Sequence, residues 1–116
     1  VLLSPGCADP FHHAAVRGSA GAVFRLPVTR DVPAARVPER MSEASGEVWA
    51  AGPGGIPLDR WAPSSPTVLL LGAEGAGLSP EALAVATGEV TIPLEREIES
   101  LNVAVAAGIL LERLRS

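Results

Sequence analysis

The amino-acid sequence predicts an α/β fold with a mainly parallel sheet flanked by helices, and three observations predict it. Thr67-Val68-Leu69-Leu70-Leu71 is an apolar run stopped by Gly72, and continuous rather than alternating hydrophobicity marks a strand buried on both faces, as in a parallel sheet. Ser79-Pro80-Glu81 is a helix start, with Ser79 at the cap and Pro80 at the first helical position. Strand-like and helix-like stretches alternate along the chain, the pattern of α/β sandwiches.

Taken in order, Val1-Leu2-Leu3-Ser4 reads as a buried strand closed by the turn Pro5-Gly6. Residues 10–20 are Ala-rich, with Pro10 placed to start a helix and Gly18 and Gly21 weakening its end. Residues 22–27 suit a second strand. Asp31 is a candidate cap for a short helix running toward Glu43, against which Pro33 and Pro38 weigh. Residues 46–50 suit another short strand, and 51–66, with four prolines and three glycines, a loop with at most one helical turn. Such long loops in small domains are usually functional. The helix beginning at Ser79 runs through Leu83 and Val85 and is stopped by Gly88. Val90-Thr91-Ile92-Pro93 is one more strand, followed by the polar loop Glu95-Arg96-Glu97-Ile98-Glu99. From about Ser100 an amphipathic helix covers one face with Leu101, Val105, Ile109 and Leu110.

At 116 residues and 47% hydrophobic content, the chain is expected to form one domain over residues 1–116. No apolar run approaches the roughly 20 residues of a membrane-spanning helix, and the start of the chain resembles no signal peptide. The single cysteine, Cys7, offers no internal disulfide, which fits a reducing cytosol and a cytoplasmic protein; it is expected to be an inert, partly buried thiol. No metal is expected: the adjacent His12 and His13 would point in different directions on a helix, with no Asp or Cys at ligand spacing. Trp49 and Trp61 are expected to anchor core or loop rather than to stack on a base. The net charge is −4, but all nine basic residues are arginine, and residues 9–40 carry a net +2 against −4 over residues 81–99. Affinity for phosphates depends on local basic patches, so the acidic balance weighs only weakly against nucleic acid.

Two clusters carry candidate chemistry. Gly72-Ala73-Glu74-Gly75-Ala76-Gly77-Leu78 follows the buried strand, at the carboxyl end where open α/β sheets bind ligands, and its glycines let a ligand approach the main chain. It lacks the Lys-Ser or Lys-Thr pair of a phosphate loop, and a plain glycine-rich connection with a solvated glutamate is an equal reading of it alone. In the second cluster, Ser100 and Asn102 sit at a helix start, where free N–H groups favour an anion or a polar ligand. Ser100 read alone is equally a simple helix cap. Ala104, Ala107 and Gly108 would let another backbone pack closely.

Together, LLLGAEGAGLSPE and IPLEREIESLNVAVAAGILL resemble the second and third motifs of the SpoU (TrmH-like) RNA 2′-O-ribose methyltransferases of the SPOUT superfamily, and SPGCADPFHHAAVRGSAGAVFRLPV resembles the segment between the first and second motifs. The resemblance implies an α/β domain with a C-terminal deep trefoil knot, S-adenosyl-L-methionine as cofactor, an rRNA or tRNA partner and a homodimer. It implies that Gly72, Ile92 and Leu101 hold the adenine through main-chain atoms, and that Glu74, Ser100 and Asn102 occupy the polar catalytic positions, with Glu74 fixing its own loop through backbone N–H groups. Arg17 and Ser19 lie in the family-like segment and are candidates for phosphate contact. The family's first strand and helix, with their Asn and Arg, have no counterpart in this sequence, so the chain by itself is expected to be inactive. The alternative is a knotted RNA-binding or dimerisation module without catalysis.

Overall fold

A computed structural model of the chain describes residues 1–116 except Ser65, Glu97, Glu99 and Ser116, and of Ser42 the backbone alone. The chain divides into two compact units, Val1–Arg36 and Val37–Ser116.

In the second unit the predicted parallel sheet is present. Strands β1 (Glu47–Pro57), β2 (Thr67–Leu70) and β3 (Gly88–Thr91) lie in the order β2-β1-β3, with both pairings parallel. Helices α2 (Val37–Ser42), α3 (Pro80–Val85) and α4 (Val103–Arg115) accompany them, α1 (His13–Gly18) belonging to the first unit. Side chains alternate across a strand, and here the alternation sends them into two cores. Val68 and Leu70 of β2 pack with Val48 of β1 against Val37 and Met41 of α2 and Val85 of α3. Leu69 of β2 and Trp49 of β1 pack on the other face with Trp61, Val90 and Leu110. Helices thus cover both faces, which is why β2 reads as an unbroken apolar run. Its residues are half-buried rather than fully buried, because β2 is an edge of the described sheet and pairs only with β1.

Trp61 and Leu110 are 0% and 1% exposed, and Trp49 meets Trp61 edge-to-face at 5.8 Å, so both tryptophans are core anchors. Burial of a residue such as Leu110 contributes about 1.5–3 kcal/mol.

Several expectations are corrected here. The first part of the expected loop 51–66 is strand: β1 continues to Pro57, because Pro53 falls in a segment, residues 52–55, that is looped out of the ladder and needs no ladder donor. The 3-10 turn Leu58–Arg60 is the single helical turn expected there. Helix α3 has Ser79 as its cap, accepting from Ala82 N–H at 3.2 Å, but ends at Val85; Gly88 opens β3 instead of stopping the helix, and packs so tightly on Trp49 that a Cβ would touch the indole. In α4 the buried side is Leu110 with the partly buried Leu114, Ala106 and Val103, whereas Val105 and Ile109 are 51% and 38% exposed. A Cβ on Gly108 would meet open space, so no backbone packs on the expected small-residue stripe at that point.

In the first unit, α1 is His13–Gly18, shorter than the expected 10–20. His12 is its cap, its Nδ1 accepting from Ala14 N–H at 3.2 Å, and the His12 and His13 rings lie 4.2 Å apart rather than diverging. The expected strand 22–27 is instead the 3-10 turn Ala22–Phe24. Ala20 and Gly21 both take left-handed backbone (φ 51° and 84°), which turns the chain sharply out of α1, and Ser19 Oγ then accepts from Val23 N–H. The strand expected at residues 1–4 is a single parallel bridge from Leu2 to Thr29, with Val1 63% exposed. The Pro5-Gly6 turn is present, closed by Cys7 N–H to Ser4 carbonyl, but Cys7 is exposed, not partly buried. Asp31 has φ 54°, and the helix expected after it is split into a 3-10 turn, Ala34–Arg36, and α2.

Candidate functional site

The carboxyl ends of β2 and β3 and the middle of β1 converge on one cleft of about 810 Å³. That volume lies within the range of small-molecule sites, and the place is where a sheet whose strand order reverses binds its ligand. β1 contributes Ala51, Gly52 and Pro53; the loop after β2 contributes Gly72 and Glu74; Thr91 and Ile92 come from the end of β3. Ser100, Leu101 and Asn102, leading into α4, close the cleft.

The loop after β2 is shaped by its glycines. Gly77 N–H donates to the Ala73 carbonyl at 2.9 Å, and Gly75 and Gly77 have φ of 82° and 69°. The return of the chain passes so close to Gly72 that a Cβ there would fall on the Gly77–Leu78 peptide. Glycine is required at 72 by this approach and at 75 and 77 by the left-handed backbone.

Asn102 is held at both ends of its amide. Its Oδ1 accepts from Ala104 N–H at 2.9 Å and Val105 N–H at 3.3 Å, and its backbone carbonyl accepts from Ala106 N–H, so Asn102 caps α4. The cap falls on Asn102 and not on Ser100, whose exposed side chain lines the cleft. With Oδ1 committed to helix donors, Nδ2 points away and donates to Glu74 Oε1 at 2.9 Å. This bond joins the two sequence clusters across 28 residues and places a carboxylate near the amino end of a 13-residue helix, a favourable site for negative charge. Glu74 thus engages the Asn102 amide; the backbone N–H groups expected to bind it do not do so among the described residues.

All six residues expected at the catalytic and cofactor positions, Gly72, Glu74, Ile92, Ser100, Leu101 and Asn102, line this one cleft. Ile92 and Leu101 are half-buried. Of the polar loop before Ser100, Glu97 and Glu99 lie outside the described residues. Arg17 and Ser19 lie in the first unit: Arg17 is exposed in the last turn of α1, while the Ser19 hydroxyl donates to the Val16 carbonyl at 2.8 Å. Among the described residues no group of three or more His, Cys, Asp or Glu side chains could hold a metal ion, and no helix is long and apolar enough to cross a membrane. Sequence reasoning missed the wall made by Gly52, Pro53 and Thr91. A signal for it existed in Glu89-Val90-Thr91-Ile92, whose polar residues alternate with apolar ones and so share one face of β3.

These features define an α/β domain with a small-molecule cleft at the carboxyl edge of a parallel sheet. The model of the SpoU rRNA methylase family matches residues 1–112, and the chain belongs to that family. It is 36% identical, over 115 residues, to the 23S rRNA (guanosine(2553)-2′-O)-methyltransferase RlmP of Bacillus subtilis, a match covering 99% of this chain and 46% of that protein. Among solved structures it resembles the AdoMet-bound rRNA methyltransferase of Sinorhizobium meliloti, with a TM-score of 0.85 and 33% identity over 98% of this chain and 44% of the other. The SpoU methyltransferase AviRb of Streptomyces viridochromogenes, solved in complex with AdoMet, gives a TM-score of 0.84 and 30% identity over 98% and 48%. The chain therefore spans about half the length of these relatives.

Proposed function

We propose that the protein is an S-adenosyl-L-methionine-dependent RNA methyltransferase that modifies a ribose 2′-hydroxyl of rRNA or tRNA. The observation that carries this reading is the Asn102–Glu74 hydrogen bond, which unites the two family-like motifs in one cleft. The lining fits the cofactor in character: half-buried Ile92 and Leu101 offer an apolar slot for an adenine, Gly72 exposes main chain beside it, and Glu74 supplies a carboxylate toward a cationic ligand. When bound, the cofactor supplies an electrophilic methyl group on a sulfonium.

The chain's own residues do the positioning. A ribose hydroxyl is a poor nucleophile, so in-line alignment and exclusion of water dominate the demand on the protein. Asn102, fixed by the α4 cap and by Glu74, and Ser100, with its exposed hydroxyl, orient the ribose or the groups that take its proton. Arg17, exposed on α1, contacts RNA phosphate, and Ser19 supports that segment. The family match over residues 1–112 supports treating 1–116 as one methyltransferase domain. The same membership supports a C-terminal trefoil knot, a homodimer and a cytoplasmic location for the protein.

Calorimetric titration of the 116-residue chain with S-adenosylhomocysteine, alongside Leu101→Arg, tests the cofactor site. Saturable binding that the variant loses is expected; a folded chain that binds nothing would remove the reading. For the catalytic roles, Asn102→Ala and Glu74→Ala are each expected to slow methyl transfer by the active protein at least tenfold. Wild-type rates in both would reject those roles.

A further inference from the structure

The cleft wall on the β1 side is built in an unusual way. Ala51 and Ile56 both pair with Val90 of β3, so residues 52–55 are looped out between them. The loop is tied down by side chains of β3: Thr91 Oγ1 donates to the Gly52 carbonyl at 2.6 Å and accepts from Gly55 N–H at 2.7 Å, while Glu89 Oε1 accepts from Gly54 N–H at 3.1 Å. Three of the four looped-out residues are glycine, the residue with the most backbone freedom to lose. At Gly55 the contact with β3 is so close that a Cβ would fall on the Glu89 carbonyl. Gly52, Pro53 and Thr91 itself face the cleft.

We propose that Thr91 is a positioning residue for the S-adenosyl ligand: its hydroxyl holds the 52–55 loop in one shape and so sets the Gly52-Pro53 wall against which the ligand rests. This inference rests on the cofactor reading above. A loop already ordered before binding spares the ligand the entropy of ordering it, so the hydroxyl acts on affinity through the backbone it holds. The molecule also contains its own control. Thr87, just before β3, donates to the Val48 carbonyl at 2.7 Å and accepts from Val48 N–H at 3.2 Å, likewise two hydroxyl bonds to β1 but on a single residue and away from the cleft lining.

The test is titration of the 116-residue chain with S-adenosylhomocysteine for the wild type, Thr91→Val, Thr91→Ser and Thr87→Val, with melting temperatures measured in parallel. Two lost hydrogen bonds predict about a tenfold weaker affinity for Thr91→Val. Thr91→Ser should stay within about twofold of wild type, as should Thr87→Val even though its melting temperature falls at least as far as that of Thr91→Val. Unchanged affinity in Thr91→Val overturns the proposal, and so does an equal loss in Thr87→Val, because affinity would then follow general stability. If the wild type itself does not bind, the cofactor reading fails and the positioning role with it. Amide exchange without ligand separately decides the clamp: the Gly55 amide should exchange faster in Thr91→Val, and unchanged protection there overturns it.

Discussion

Residues Val1–Arg36 and Val37–Ser116 are both rich in apolar side chains, but they dispose of them in opposite ways. In the first unit Val32 is buried, while Phe24, Phe11 and Leu26 are 69%, 51% and 54% exposed. In the second, Val37, Val48, Ala50, Trp61, Val90 and Leu110 are all at most 4% exposed. Hydrophobicity alone does not bury a side chain; it takes a sheet with helices across its faces, or an equivalent pair of layers, to close around it. The second unit has such layers. The first has a six-residue helix, two 3-10 turns and one isolated bridge, elements too short to enclose a core by themselves.

The sharpest way to break this comparison is a pair of truncations. Leu110→Ala should cost about 2–5 kcal/mol in urea-induced unfolding, because it empties a site between Trp61 and Val90. Phe24→Ala should cost about 0.5 kcal/mol or less, as a surface change does. A loss above about 2 kcal/mol for Phe24→Ala would show that the ring is packed in solution and that the contrast is wrong.

A smaller effect sharpens the same point within α4, one face of which is buried while the other is open. Gly108 lies mid-helix with free space where its Cβ would go, so Gly108→Ala should stabilise the protein by about 0.5–1 kcal/mol, seen as a raised unfolding midpoint. Destabilisation would mean that a second surface approaches the helix at that position.

The smallest expected effect concerns charge. Glu47 accepts from Trp49 Nε1 at 2.9 Å and from Ser64 N–H at 3.0 Å, and these bonds, the Trp49 one foremost, hold its carboxyl below its ordinary value of 4.5. A depressed folded-state value means stability that is present above the unfolded-state value and is lost as pH falls through the folded-state value. The stability gap between wild type and Glu47→Gln should therefore be constant near neutrality and close as pH drops below about 4.5. In the first unit, Asp9 faces Arg30 at 3.7 Å with both side chains about half exposed, and breaking this pair by Asp9→Asn should cost about 1 kcal/mol or less in urea-induced unfolding. A gap between wild type and Glu47→Gln that stays constant on acidification would show that the Trp49 and Ser64 bonds do not hold the Glu47 carboxylate.

Much of the site was legible from sequence. Local backbone rules explain Ser79 and Pro80 at the start of α3, the stop of β2 before Gly72, and the glycines of the following loop, since each depends on neighbours only a few residues away. The resemblance to the SpoU family singled out the six residues that the fold brings to one cleft. Less was legible where the outcome depended on distant partners. By position Ser100 is the expected cap of the last helix, and the choice of Asn102 instead is tied to its second bond, to Glu74 across 28 residues. Residues 51–57 are strand where a loop is expected, because proline and glycine signal a break when only neighbours are considered. Thr91 and Glu89 are the partners that let β1 accommodate those residues and continue.

By itself the sequence determined a parallel α/β arrangement, the order of strand, glycine loop and helix in its second half, and the residue types of a ligand cleft, because periodicity, caps and glycine positions are local properties. The tertiary structure alone decided which apolar runs are buried, which polar residue caps α4, which face of that helix is covered, and how residues 52–55 are held against β3. Those depend on side chains far apart in sequence competing for the same space and the same hydrogen-bond donors, and no local pattern records the winner.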